Sequence, residues 1–384
     1  MSEPEIFKLL QTDPSCAARR GRLTTAHGTI ETPVFMPVGT QATVKAMSPK
    51  EMHELGTEVL LGNTYHLNDR PGPDLIERMG GLHTFMGWDR AILTDSGGYQ
   101  VFSLGKLNKI TDEGVSFQSH TDGRRHFIGP NESMEIQRKL GSDIAMVFDE
   151  CPPYPCSEDY ACKAVNRTLN WAAICKKAPR SEGQLVFGIA QGGVFGELRK
   201  RCATALVEMN FDGYAIGGVS VGEPDELILR GVDDTVNVLP VNKPRYLMGV
   251  GEMAQMVESI ARGVDMFDCV MPTRQARNGT VSTRRGRYPV KAAIYKEDTR
   301  PLEEGCTCYA CKNFTRSYVR HLLNVGEILG LRLITTHNLH CYLEFFRDIR
   351  KAIEGGVFDA FRKAFHANYR VVLEEHTLNV KENN

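Results

Sequence analysis

Eight short apolar runs punctuate the chain: VFMPV at 34–38, VLLG at 59–62, AILT at 91–94, IAMVF at 144–148, LVFGI at 185–189, GYAI at 213–216, YLMGV at 246–250 and MFDCV at 266–270. Runs this short and this uniformly apolar suit strands buried on both faces, as in a parallel sheet. Between them, SMEIQRKLG, FGELRKRCATALVEM and EMAQMVESIARG place apolar residues at helical spacing. SPKEMHEL carries the signals of a helix start, with Ser48 as N-cap, Pro49 at the first helical position and Glu51 completing a capping box. Eight strands alternating with helices predict an α/β chain folded as a (β/α)8 barrel.

Two stretches break the alternation. Residues of about 101–128 show alternating polar and apolar positions around the turn dipeptide Asp122-Gly123, which predicts a β-hairpin inserted after the third strand. A cysteine-rich segment after the eighth strand reads as a second insertion. The expected organisation is a single catalytic domain with a barrel core over 1–290, a metal-binding subdomain over 291–345 and a helical segment over 346–384 packing back on the barrel.

The cysteine-rich segment holds Cys306, Cys308, Cys311 and His337 in the spacing C-x-C-x2-C-x25-H. Four such ligands close a tetrahedral zinc shell, so the site is expected to be structural and to leave no position for a reacting water. His340 stands as an alternative fourth ligand. Eleven cysteines, an odd number, and an N-terminal stretch without an apolar signal segment point to cytoplasmic thiols over disulfides. No stretch has the ~20 apolar residues of a membrane span.

The net charge of -1 excludes a global pull toward polyanions. Between Arg274 and Lys291, however, six basic residues stand with no acidic one, interleaved with glycine, serine and threonine. That local run favours contact with nucleic acid over a merely solvated loop. Polar residues also fall directly after the expected strands, where barrel active sites are built. Asp95 opens the run Asp95-Ser96-Gly97-Gly98-Tyr99-Gln100, whose glycines admit a ligand and whose tyrosine offers a stacking plane. Asp149, Gln191 and the Gly217-Gly218 pair add an acceptor, an amide and backbone N–H groups, together a guanine-like pocket. Asp268 lies near the end of the eighth strand. The stretch Gly249 to Ala254 imitates a dinucleotide fingerprint, but only one strand follows it, so the required half-domain is missing.

DSGGYQ, FDE, GIAQGG, GYAIGG, FDCVMPTRQARNG and the cysteine cluster, in this order, resemble the tRNA-guanine transglycosylases over nearly the whole chain. The resemblance implies Asp268 as nucleophile on the ribose and Asp95 as general base, in a double displacement that exchanges a guanine of tRNA for a deazaguanine. It implies that Ser96, Gly97, Gly98, Asp149, Gln191 and Gly218 hold the base edge, with Tyr99 and Met248 stacking on its faces and Glu223 nearby. It assigns RNA contact to Gly249, Val250, Gly251, Glu252, Met253, Ala254 and Gln255, and to Thr273, Arg274, Gln275, Ala276 and Arg277. Cys151 and Val221 resemble bacterial members, implying 7-aminomethyl-7-deazaguanine inserted at the wobble position of tRNAs with GUN anticodons. The resemblance also implies one Zn2+ per subunit and a homodimer. A non-catalytic relative would lack the Asp95 and Asp268 pair, and a zinc hydrolase would need an open metal site on the barrel rim.

Overall fold

The computed structural model describes residues 6–104, 106–118 and 123–372. Its centre is an eight-stranded parallel sheet. The barrel strands, in chain order, are Val34–Pro37, Val59–Gly62, Ala91–Thr94, Ile144–Met146, Leu185–Ala190, Gly213–Ile216, Arg245–Leu247 and Met266–Cys269. Each expected apolar run overlaps one of them; the fifth strand runs one residue further, to Ala190, and the seventh starts one residue earlier, at Arg245. The first strand pairs with the eighth, and the Val38–Leu61 bridge together with the Gly39 N–H bond to the Leu61 carbonyl (2.7 Å) brings it to the second, closing the barrel. Nearly every strand residue is buried, because helices cover the sheet outside while side chains fill it inside.

The local signals act as read. Ser48 and Glu51 form the reciprocal capping box on helix Pro49–Glu54. The insertion after the third strand is the expected hairpin, Val115–Gln118 with Arg125–Ile128, extended by a third antiparallel strand, Lys106–Ile110. Asp122 of its turn lies outside the described residues.

An element absent from the sequence reading precedes the barrel: an antiparallel sheet of Phe7–Thr12, Arg19–Thr25 and Gly28–Thr32. Its turn is bolted to the barrel by Asp143, whose carboxylate accepts from the His27 N–H (3.0 Å), the His27 ring (2.9 Å), the His83 ring (3.1 Å) and the Ile92 N–H (2.8 Å). The helix that covers the first and eighth strands comes late in the chain. Ile328–Glu354, 27 residues long, sets Tyr342 and Phe346 against Phe35 of the first strand, and Phe346 against Phe267 of the eighth. The cysteine-bearing segment is thus inserted between the eighth strand and its helix, and the division expected at 345/346 falls within that helix.

Candidate active site

One cavity of about 740 Å³ opens at the C-terminal ends of the barrel strands. Asn63 follows the second strand, Asp95 the third, Asp149 the fourth, Gln191 the fifth, Gly217 and Gly218 the sixth and Met248 the seventh, while Asp268 lies in the eighth; all line it. A parallel barrel explains the convergence, since every strand points the same way and delivers its next residue to one rim.

Asp268 accepts from the Tyr246 hydroxyl (2.5 Å) and the Gly249 N–H (2.8 Å), both on Oδ1. Burial pushes its carboxyl up, and these two donors oppose the shift. Burial and the Asp268 charge push the Tyr246 phenol well above its ordinary value, so it remains a donor. Asp95 is held by the Asn63 amide (2.5 Å), the Thr64 N–H (2.8 Å) and the Gln100 amide (2.8 Å). Burial nevertheless raises it to about 6, with the Asp268 charge adding to the rise. A carboxylate near neutrality is suited to taking and returning a proton.

Asp149 forms the opposite wall. It accepts from the Ser96 hydroxyl (2.9 Å) and the Gln191 amide (2.6 Å), and burial raises it to about 6 as well. The Gln191 amide is spent on Asp149, which leaves its buried Oε1 without a partner. Buried acceptors of this kind are satisfied by something else, here a ligand N–H or water. Gly97 and Gly98 fold over Asp95 and Asp149: the Gly97 N–H donates to Asp95 (3.2 Å), and a side chain on Gly98 would strike the Asp149 carbonyl at 2.7 Å. Tyr99, half exposed, and Met248, half buried, are the two flat or soft faces of the cavity. Glu223 accepts from the Ser220 (2.5 Å) and Val221 (2.9 Å) N–H groups and so shapes the loop beside Gly218.

The residues assigned to RNA divide. Gly249, Arg274 and Arg277 are exposed, and Arg274 reaches the cavity rim. Val250, Gly251, Met253, Thr273 and Ala276 are buried, and Gln275 accepts from the Ser282 hydroxyl (3.0 Å). Glu252, Ala254 and Gln255 are half buried; Glu252 is paired with Arg287 at 3.2 Å, and Gln255 donates to Asp225 at 2.7 Å. Four residues that shape the site were given no role from the sequence, although Gln100 closes the run that Asp95 opens: Asn63, Gln100, Tyr246 and Arg199. Of the others, Arg199 alone had a signal, since it stands in phase with the buried Cys202, Ala203 and Leu206 of its helix, a basic residue on an apolar face.

Away from the cavity, the three cysteine sulfurs and His337 lie within 4.8 Å of one another. The His337 Nδ1 stands 3.6, 3.6 and 3.3 Å from the sulfurs of Cys306, Cys308 and Cys311. A tetrahedral ion with metal–sulfur bonds of about 2.3 Å and a metal–nitrogen bond of about 2.0 Å sets that separation near 3.5 Å. The residues therefore fit a metal. The His337 Nε2 is 2.9 Å from the Ser282 carbonyl, the outer partner that orients a ligating imidazole. His340 approaches only Cys306 among these sulfurs, at 3.6 Å.

The sequence model of one protein family, described as queuine tRNA-ribosyltransferase, matches residues 13–371. Among curated proteins, the queuine tRNA-ribosyltransferase of Pelotomaculum thermopropionicum is 56% identical over 364 residues, 95% of this chain and 98% of its own. That of Moorella thermoacetica is 56% identical over 363 residues, covering 94% and 97%, and that of Desulforamulus reducens 54% over 362, covering 94% and 98%.

Proposed function

Because the chain belongs to the queuine tRNA-ribosyltransferase family and is a transferase of queuosine tRNA modification, we propose that it exchanges guanine at the wobble position of GUN-anticodon tRNAs for 7-aminomethyl-7-deazaguanine. The observation that supports this reading is the single cavity uniting two unlike carboxylates with a purine-shaped wall. Both hydrogen bonds to Asp268 fall on Oδ1, so Oδ2 is the oxygen free to attack. Its bond to C1′ of the ribose forms as the C1′–N9 bond breaks, and the electron pair leaves with guanine, which takes up a proton from solvent. Asp95 then removes the proton from the ring nitrogen of the incoming base. That nitrogen displaces Asp268 from C1′ and restores the carboxylate.

Asp149 accepts from the N–H edge of the base, Gln191 and the Gly218 backbone hold its other polar atoms, and Tyr99 and Met248 stack on its faces. Cys151 and Val221 line the same cavity, where the 7-substituent is accommodated. Arg274 and Arg277 take the phosphates beside the target nucleotide. Cys306, Cys308, Cys311 and His337 hold Zn2+; a closed shell of this type contributes folding free energy and leaves the chemistry to the carboxylates. The exposed Tyr309 and Tyr318 beside the metal segment support a homodimer. Among the described residues no helix is long and apolar enough to cross a membrane, and we place the enzyme in the cytoplasm with its tRNA.

Exchange of labelled guanine into a GUN-anticodon tRNA, with and without 7-aminomethyl-7-deazaguanine, tests the reading. Label should enter the RNA and be expelled by the deazaguanine. Absence of exchange into any such tRNA would refute it.

A further inference from the structure

Arg199 is fully buried, and among the described residues no carboxylate lies within ion-pair distance of its guanidinium. A buried cation with no carboxylate in contact, only the more distant Glu223 and Asp234, is costly unless its donors are used for something. All of its partners are backbone carbonyls around the candidate site. Nε donates to Gly193 (2.6 Å), Nη1 to Gly217 (3.0 Å) and Nη2 to Gly218 (2.8 Å). These carbonyls belong to the loops after the fifth and sixth barrel strands, which carry Gln191 and Gly218. Glycines make room for the fork: a Cβ on Gly192 would lie 2.7 Å from the Arg199 backbone nitrogen, and one on Gly231 would lie 3.1 Å from Nε. Gly193 and Gly218 take the positive φ values, +57° and +60°, that turn their chains toward it.

The arrangement fixes peptide directions. In a trans peptide the C=O and the following N–H point opposite ways. The Gly217–Gly218 and Gly218–Val219 peptides are trans, and both carbonyls are held on the Arg199 side. The Gly218 and Val219 N–H groups are therefore turned the other way, where Gly218 meets the Cys151 thiol at the cavity wall. Burial lowers the guanidinium to about 10, so it remains charged at neutral pH and polarises both peptides.

We propose that Arg199 is a positioning residue for base recognition: it aims and polarises the Gly218 and Val219 amides toward the 6-oxo group of the bound purine. The inference rests on the base-exchange reading given above. The electron pair released at N9 of departing guanine spreads through the fused rings to that oxygen, so pre-aimed donors there assist both binding and release. A side chain that only filled space would support every base equally.

The test compares guanine with 6-thioguanine, which keeps the edge facing Asp149 and replaces the oxo group by a poorer acceptor. Dissociation constants for both are measured by calorimetry on the wild-type protein, Arg199→Met and Arg199→Lys, with thermal unfolding as the control for folding. The wild type should favour guanine. Arg199→Met should lose about 10- to 100-fold in guanine affinity and much less for 6-thioguanine, the size of one oriented hydrogen bond to a buried acceptor. Arg199→Lys, which keeps the charge and loses the fork, should fall between. Equal loss for both bases, no loss, or failure of both variants to unfold cooperatively would assign Arg199 to the core alone and overturn the inference. A wild-type protein that binds neither base overturns the base-exchange reading itself.

Discussion

Replacing Tyr246 with phenylalanine removes one oxygen from a fully buried ring and leaves the barrel filling intact. What disappears is the 2.5 Å hydrogen bond to Asp268 Oδ1, while the Gly249 N–H at 2.8 Å remains. A hydrogen bond to an ionised group contributes about 1.5–3 kcal/mol, which corresponds to about 10- to 150-fold in the preference for the anionic nucleophile. The sign follows from the geometry. Burial already raises the Asp268 carboxyl and the Tyr246 bond opposes it, so loss of the bond raises the carboxyl further. Activity needs the anion, is present above this pKa, and is lost as pH falls through it. The acid limb of the rate profile therefore moves to higher pH, by about one unit per 1.4 kcal/mol. Single-turnover formation of the covalent enzyme–tRNA adduct, followed across pH with saturating tRNA, isolates this step from base binding. An acid limb that stays in place, or moves down, would show that Tyr246 does not support the nucleophile.

The two carboxylates should fail differently: Asp268→Asn should give no trapped adduct on denaturing gels, whereas Asp95→Asn should give a small amount, and adduct in the Asp268 variant would reverse the roles. Replacing Cys308 or His337 by alanine should lower metal content and the thermal midpoint together; chelation that leaves the midpoint unchanged removes the structural role. Arg274→Ala and Arg277→Ala should each reduce the slope of log K for tRNA against log salt by about one unit, and unchanged slopes would place the phosphates elsewhere. Asp149, raised to about 6, carries a stability contribution that is present below its ordinary value and lost as pH rises through 6. The stability of Asp149→Asn relative to wild type should accordingly grow by about 2.5 kcal/mol from pH 4 to pH 7.5, and a flat difference in denaturant titrations would contradict the burial argument.

The barrel strands were legible because burial on both faces writes them as continuous apolar runs. The antiparallel sheet at 7–32 was not, because strands such as RRGRLTT are half polar: Arg19 and Arg20 are buried through pairing with Asp265, Glu31 and Glu354, a solution visible only in three dimensions. The same division runs through the cavity. Asp95, Asp149, Gln191 and Asp268 stand at or just beyond strand ends, a place a sequence can mark. Asn63 also follows a strand, yet an asparagine there reads as a turn former, and its bond to Asp95 crosses 32 residues. Tyr246 lies inside an apolar run and reads as core until its hydroxyl is seen to reach Asp268.

The helix Ile328–Glu354, about 40 Å long, is the outer wall of the seam where the first and eighth strands meet. It is also synthesised after every strand of the barrel. While the ribosome is still building it, Phe35 and Phe267 have no covering rings, and Gly251 lacks the Tyr342 hydroxyl that binds its carbonyl at 2.8 Å. The nascent barrel therefore waits, nearly complete but with an open apolar flank, for a piece of sequence that begins almost 60 residues beyond its final strand. A message cut short before that helix leaves this apolar flank of the barrel without its cover.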